Sequence, residues 1–214
     1  MYKKKILLIT ERRADYSRFK PILKIIKRDK SLNYVLVATG LHLLQKHGNT
    51  INEILKDKFK VSYKLKNFRK NQSDDGKSMV VAMGEVLKKI APILKKEKPD
   101  IILSGFDIGA NFALTVAGAH FNIPVAHIQG GEVTGSIDES LRHAMSKFSN
   151  YHLVANHDAK KRLIKMGEKK EDIFTVGCPS LDALFSEPIL NKKILEKKFN
   201  LNLNKKLIVA IQHP

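Results

Sequence analysis

The stretch that decides the fold is IPVAHIQGGEVTGSIDESLRH, residues 123–143. It begins as a short apolar run, passes through a loop rich in glycine and acidic residues, and continues with helical periodicity. An apolar run without alternation is typical of a strand buried on both faces of a parallel sheet. The same order of apolar run, polar loop and helix recurs along most of the chain. We therefore expect a doubly wound α/β domain, with a parallel sheet covered by helices on both faces.

The other elements follow from the same two periodicities. Strands are predicted at 4–10, 33–40, 60–65, 99–105, 123–131, 151–156 and 173–180, and helices at 15–29, 41–57, 79–98, 110–122, 136–150 and 157–167. The carboxyl ends of the strands in such a sheet share one edge, where ligands bind. Because polar residues follow five of these strands, we expect the functional site at this edge.

The composition narrows the class of protein. The chain has 214 residues, of which 43% are hydrophobic and 28% are charged, as in an ordinary globular protein. A single cysteine, Cys178, excludes a disulfide framework and fits a reducing cytoplasm. No apolar run has the length of a membrane span, and the start of the chain does not match a signal peptide.

The net charge of +18 raises the alternative of nucleic-acid binding. The lysines, however, lie on amphipathic helical patterns such as LKKIAPILKKEK, residues 87–98, without interleaved stacking aromatics. A positive field attracts a phosphorylated small molecule equally well. We therefore expect neither nucleic acid nor a membrane as the partner.

The pattern changes after residue 186. We expect an N-terminal domain over residues 1–186, a linker and a basic helix over 187–206, and a strand over 207–214. The strand would be the first of a second domain that is otherwise absent from this sequence.

Common cofactor motifs are absent. The first strand is not followed by GxGxxG, and the sequence contains no GxxxxGK[ST]. The histidines His127, His143 and His152 do not have the spacing of a zinc-binding helix, so we expect no metal site.

Four carboxylates lie just after predicted strands: Asp107, Glu132, Asp138 and Glu139. Each alone is explained as a turn residue or as an acid that favours a helix N-terminus. Together they could provide the acid and base that removal of a carbon-bound proton requires. Glycines at 130, 131 and 135 would allow close approach of a ligand, and Arg13 and Arg142 could meet phosphate oxygens.

The stretch from HIQGG through VGCPSLDAL, residues 127–184, resembles the hydrolysing UDP-N-acetylglucosamine 2-epimerases of sialic- and legionaminic-acid pathways. RADYSRFKPI, GLHLLQKHGNT, KPDIILSGFD and IVAIQHP resemble further family motifs in the same order. The resemblance implies the first half of a glycosyltransferase-B-like fold with two Rossmann-like domains. It also implies a homodimer and no cofactor.

The family chemistry removes the C2 proton with loss of UDP and then adds water, which gives N-acetylmannosamine. The resemblance implies catalytic residues Asp107, Glu132, Asp138 and His213, and substrate-binding residues Arg13, Ser17, His42, His127, Gln129, Gly130, Gly131 and Arg142.

This sequence departs from the family pattern at two positions. Gln129 stands where some members have a catalytic glutamate, so either Glu132 is the base or the acid and base roles are assigned differently. Ile108 replaces an arginine after Asp107, which itself follows an extra Phe106. The change at Ile108 leaves two substrates open: UDP-N-acetylglucosamine, and a GDP-linked or deoxy bis-acetamido sugar. Because the second domain is missing from this sequence, an inactive binding module is a further alternative.

Overall fold

A computed structural model describes residues 3–69, 73, 75–106, 109–186 and 188–212. The strands are β1 (Lys4–Thr10), β2 (Leu32–Thr39), β3 (Tyr63–Leu65), β4 (Ile101–Gly105), β5 (Val125–Ile128), β6 (Tyr151–Val154) and β7 (Ile173–Thr175). The helices are α1 (Arg13–Arg28), α2 (Ile51–Lys56), α3 (Gly76–Glu97), α4 (Gly109–His120), α5 (Ile137–Lys147), α6 (His157–Lys165), α7 (Pro179–Ser186) and α8 (Lys192–Phe199). None of the helices in these ranges is long and apolar enough to cross a membrane.

All seven strands form one parallel sheet in the order β3-β2-β1-β4-β5-β6-β7. The chain first moves outward from β1 to β3 and then returns to β4 on the other side of β1. The crevice beyond the carboxyl ends of β1 and β4 is therefore the topological switch point, where ligands bind in open α/β sheets. This arrangement confirms the predicted fold class.

Apolar side chains are buried on both faces of the sheet. On one face, Leu7 and Ile9 of β1 pack in a cluster with Ile90 of α3 and Leu114 of α4. Leu8 points to the other face and joins a cluster with Phe19 of α1. All six side chains have no exposed surface. Burial on both faces explains why β1 reads as an unbroken apolar run.

The predicted helix over 41–57 is wrong in its first part. Residues Gly40–Leu43 and Gln45–His47 form two 3-10 turns, and only α2 is α-helical. Gly48 and Asn49 have φ angles of +79° and +46°, which a right-handed helix cannot contain. The leucines of this segment, Leu41, Leu43 and Leu44, are half-buried, so the apolar pattern continues although the helix does not.

The chain divides into two compact units, residues 1–183 and 184–214. In the second unit, the Asn191 side chain accepts a hydrogen bond of 2.9 Å from the Ile194 amide and caps α8. The strand expected at 207–214 does not form over residues 207–212. A strand requires a paired neighbour, and the described part of this unit contains none. The assignment to a second Rossmann-like domain stays a prediction.

Candidate functional site

The loop between β5 and α5 is held close to the sheet by unusual backbone conformations. Gln129 and Gly131 have φ angles of +58° and +79°. A Cβ atom on Gly131 would lie 2.6 Å from the Ala159 carbonyl oxygen of α6, so only glycine fits there. The Arg162 guanidinium donates a hydrogen bond to the Gly131 carbonyl oxygen. The loop is thus a packed part of the domain rather than a free connection.

This loop brings Gln129, Glu132 and Arg142 together. Nε2 of Gln129 lies 3.4 Å from Oε1 of Glu132 and 3.5 Å from Sγ of Cys178. The buried Arg142 guanidinium donates to the Glu132 carbonyl oxygen over 2.7 Å. Oε1 of Gln129 is buried without a hydrogen-bond partner in the described chain. The Glu132 carboxylate therefore lies within reach of an amide donor, on a backbone that Arg142 holds in place.

The two acids at the start of α5 differ in their surroundings. Glu139 accepts hydrogen bonds from the amides of Thr134 (2.8 Å) and Gly135 (3.0 Å). These bonds hold the pKa of Glu139 below its usual value, so this carboxylate is an ionised loop anchor. Asp138 lies in the first turn, where its amide donates to the Ser136 hydroxyl over 3.3 Å. Its partly buried carboxylate is not engaged in any described ion pair and is the freer of the two.

His127 lies behind the loop and is completely buried. Its Nδ1 pairs with the Ser146 hydroxyl at 3.1 Å, and a Cβ atom on Gly130 would lie 2.8 Å from the same nitrogen. Burial lowers the pKa of His127 to about 3, and the nearby His152 adds to this effect. The imidazole is therefore neutral, and it packs against the loop at Gly130.

A second group of predicted residues surrounds the start of α1. A cavity of about 330 Å³ is lined by the residues Arg12, Arg13, Ala14, Leu41, His47 and Thr50. The two arginines are exposed, and Nη1 of Arg13 lies 3.9 Å from Oε1 of Glu53. Ser17 is exposed one turn along the helix and donates to the Ala14 carbonyl over 2.9 Å. Basic side chains beside a helix N-terminus form a surface that suits an anion.

His42 is turned into the protein instead of toward this cavity. Its two ring nitrogens pair with the hydroxyls of Thr10 (3.0 Å) and Thr50 (2.7 Å), and it has no exposed surface. Burial lowers its pKa to about 4. A direct ligand contact by His42 or His127 would require either side chain to move. Their predicted substrate-binding roles stay predictions.

The predicted site residues therefore form two separate groups among the described residues. One comprises Arg13 and Ser17, with His42 behind them; the other is made of His127, Gln129, Gly130, Gly131, Glu132, Asp138 and Arg142. The predicted catalytic residues Asp107 and His213 lie outside the described residues. Within the described ranges, no cluster of three or more histidine, cysteine or acidic side chains is arranged to hold a metal ion.

Glu11, which directly follows β1, was not among the predicted site residues. Its side chain is 7% exposed, and burial raises the pKa of its carboxyl group. Oε1 accepts from Nδ2 of Asn67 at 3.2 Å, and Oε2 accepts from the Ala110 amide at 3.4 Å. The only sequence signal was an acid immediately after a strand, which does not distinguish a buried carboxylate from an exposed one.

The sequence was compared with those of known protein families. The sequence profile described as UDP-N-acetylglucosamine 2-epimerase matches residues 24–214. The chain belongs to this family. The motifs of the sequence predicted membership of the same family, and this match confirms the prediction.

Two curated relatives and one solved structure show the extent of the similarity. The chain is 37% identical over 211 residues to the UDP-N,N'-diacetylbacillosamine 2-epimerase (hydrolyzing) of Legionella pneumophila, covering 99% of this chain and 55% of the relative. It is 33% identical to a UDP-N-acetylglucosamine 2-epimerase of Neisseria meningitidis, covering 92% and 51%. A crystal structure of UDP-GlcNAc 2-epimerase from Neisseria meningitidis bound to UDP-GlcNAc matches with a TM-score of 0.73 and 22% identity, over 85% of this chain and 48% of that chain.

These comparisons support the Rossmann-like fold and show how much of each relative the chain covers. At 22% identity the structural match shows the fold alone, which is the predicted Rossmann-like sheet of a glycosyltransferase-B-like protein. The chain spans about half the length of the curated relatives it matches.

Proposed function

We propose that the protein containing this chain is a hydrolysing nucleotide-sugar 2-epimerase that converts UDP-N-acetylglucosamine to N-acetylmannosamine and UDP. The C2 proton leaves as UDP is eliminated, and water then adds to the resulting double bond. Family membership supports the 2-epimerase class, and the Neisseria meningitidis relative is named for the same sugar. The steps of the reaction are part of the proposal.

The observation that carries the proposal is the Gln129–Glu132 pair at the carboxyl end of β5. An amide at position 129 cannot take a proton as a general base. The Glu132 carboxylate lies in the same loop, partly buried and 3.4 Å from that amide. We assign Glu132 as a catalytic acid or base, with Gln129 as the neutral donor that positions it.

Asp138 is the second acid in our assignment. Its carboxylate lies in the first turn of α5 and forms no ion pair with the described residues. Glu139 is excluded from this role because two backbone amides already stabilise its carboxylate. Asp107 and His213, which the family resemblance makes catalytic, complete the proposed set.

The cavity beside α1 suits the diphosphate. Arg12 and Arg13 line it together with the first turn of α1, so positive charge and helix dipole have the same sign there. Ser17 could donate a further hydrogen bond. Since Ile108 stands where the family has an arginine, we propose that these arginines contribute a larger share of phosphate binding.

A second candidate substrate is a deoxy bis-acetamido sugar carried by UDP or GDP. The Legionella pneumophila relative and a Campylobacter jejuni relative, 33% identical, are named as diacetylbacillosamine 2-epimerases. The sugar released from this substrate would supply a legionaminic-acid pathway, whereas N-acetylmannosamine would supply a sialic-acid pathway. A cytoplasmic homodimer remains the proposed state of the enzyme.

The deciding experiment uses protein expressed from its complete reading frame and incubated separately with UDP-N-acetylglucosamine, UDP-diacetylbacillosamine and GDP-diacetylbacillosamine. Chromatography measures the free nucleotide, and NMR identifies the sugar released. Release of UDP together with N-acetylmannosamine supports the first candidate. Preferential turnover of a bis-acetamido sugar supports the second, and binding of these sugars without release of any nucleotide favours a binding module.

A further inference from the structure

The Glu11 carboxylate occupies the topological switch point of the sheet. Glu11 follows β1, and its Oε2 accepts a hydrogen bond from the Ala110 amide in the first turn of α4, which follows β4. These are the two strands at which the direction of the strand order reverses. Ligands of open α/β sheets enter this crevice, so Glu11 stands at the position where a ligand is expected.

The surrounding residues make room for this side chain and fix it. Gly40, at the end of β2, has a φ angle of +58°, and a Cβ atom there would lie 2.1 Å from Cγ of Glu11. Oδ1 of Asn67 accepts from the Thr39 hydroxyl (3.0 Å) and from the Gly40 amide (2.9 Å), which turns its Nδ2 toward Glu11. The carboxylate is thus held by residues from three different connections of the fold.

The contacts to the carboxylate are long, and the described residues leave part of its hydrogen-bonding capacity unused. The two oxygens receive donors at 3.2 Å and 3.4 Å, whereas a strong bond to a carboxylate is closer to 2.8 Å. In the described part of the chain, no lysine or arginine forms an ion pair with Glu11. A hydrogen-bond donor on a ligand would therefore stabilise the Glu11 carboxylate further.

The position of Glu11 also decides which part of a ligand fits the switch point. The α4 N-terminus would otherwise attract a phosphate group, but a buried carboxylate already faces its amide. A diphosphate placed there would meet like charge, whereas it would meet Arg12 and Arg13 beside α1. The uncharged sugar, with its hydroxyl and amide N–H donors, is the part that matches Glu11.

From these contacts we infer that Glu11 is a specificity-determining residue that accepts hydrogen bonds from hydroxyl or acetamido groups of the sugar and excludes phosphate from the α4 N-terminus. This inference rests on the proposed function, because a nucleotide-sugar is the assumed ligand. It assigns the sugar to the β1–β4 crevice and leaves the diphosphate to the basic residues beside α1.

The test compares ligands with and without the sugar, again with protein from the complete reading frame. For Glu11→Gln, kcat/KM for UDP-N-acetylglucosamine, or for whichever nucleotide-sugar the wild type turns over, should fall about tenfold or more, the effect of losing a hydrogen bond to a charged group. Binding of the corresponding free nucleotide, measured by calorimetry, should change by less than about threefold, since it lacks the sugar. Glu85→Gln is the control and should change neither value, because Glu85 is a half-exposed residue of α3 whose described ion pair is with Lys89 of the same helix.

Glu11→Asp provides a second variant, because it keeps the charge but withdraws the carboxylate, and it should show the same selective loss. Equal losses with the nucleotide-sugar and with free nucleotide would give Glu11 a purely structural role and overturn the inference. Unchanged kinetics in both variants would overturn it as well, while leaving the proposed function intact. Wild-type protein that turns over none of the three nucleotide-sugars would remove the proposed function itself, and the inference with it.

Discussion

Nε2 of Gln129 lies 3.4 Å from Oε1 of Glu132, and the two side chains project from one glycine-containing loop. The amide can donate to the carboxylate but cannot replace it as a base. Replacing Glu132 by Gln should therefore reduce kcat by about 10²- to 10⁴-fold, the range expected for loss of a general acid or base. Rates of UDP release under substrate saturation measure the effect.

The matched control for this prediction is Asp158→Asn, since the Asp158 side chain is 83% exposed on α6 and distant in sequence from the loop. It should leave kcat unchanged. If Glu132→Gln retains near-normal turnover, Glu132 is not the base, and the role passes to Asp138 or Asp107. The double variant Gln129→Glu with Glu132→Gln then asks whether position 129 can accept the proton.

The two glycines of the β5–α5 loop should respond differently to alanine. At Gly131, φ is +79° and the added Cβ would lie 2.6 Å from the Ala159 carbonyl oxygen, so the backbone must move. At Gly135, φ is +68° but the Cβ would meet no atom within 4 Å. We expect Gly135→Ala to cost about 1–2 kcal/mol of unfolding free energy and Gly131→Ala at least about 2 kcal/mol more.

Denaturant unfolding of the two variants and the wild type measures this difference directly. Equal costs at both positions would mean that the contact with α6 does not restrain the loop. A larger loss of activity in Gly131→Ala than in Gly135→Ala, at a temperature where both are folded, would further show that the loop position matters for turnover.

The sequence predicted the fold well because parallel strands leave a simple signal. Every strand of the sheet overlaps a predicted one, since burial of Leu7 on one face and Leu8 on the other produces the unbroken apolar run. The break at Gly48 and Asn49 was missed, because positive φ angles interrupt a helix without interrupting its apolar pattern. Strand order was not predicted, since it depends on which connections cross over the sheet.

The site was only partly predictable. Polar residues at strand ends were expected at one edge, and Gln129 and Glu132 do lie together there. The sequence could not show that His42 would be buried between two threonine hydroxyls. Nor could it show that Glu11 would be buried, because its partners Gly40 and Asn67 are distant in sequence.

The buried histidines should make the fold sensitive to acid. Burial lowers the pKa of His127 to about 3 and that of His42 to about 4, whereas both titrate near 6.5 in an unfolded chain. Protonation below pH 6.5 therefore favours the unfolded state, and each histidine should remove about 1.4 kcal/mol of unfolding free energy at pH 5.5. This loss begins as pH falls below 6.5 and stops only below the folded pKa.

Glu11 and Asp15 act in the opposite direction, because burial raises their pKa values and protonation relieves the cost of their buried charge. The comparison that isolates the histidine effect is His127→Asn against wild type, since both proteins contain the same two carboxyl groups. Asn can keep a hydrogen bond to the Ser146 hydroxyl but cannot titrate. Urea unfolding at pH 7.0 and pH 5.5 should show a smaller loss of free energy in His127→Asn, by about 1.3 kcal/mol. The exposed His157, changed to Asn in the same way, should leave the wild-type loss unaltered. An identical loss in His127→Asn and wild type would mean that His127 is hydrated enough to keep an ordinary pKa, and that the region behind the loop is open to water.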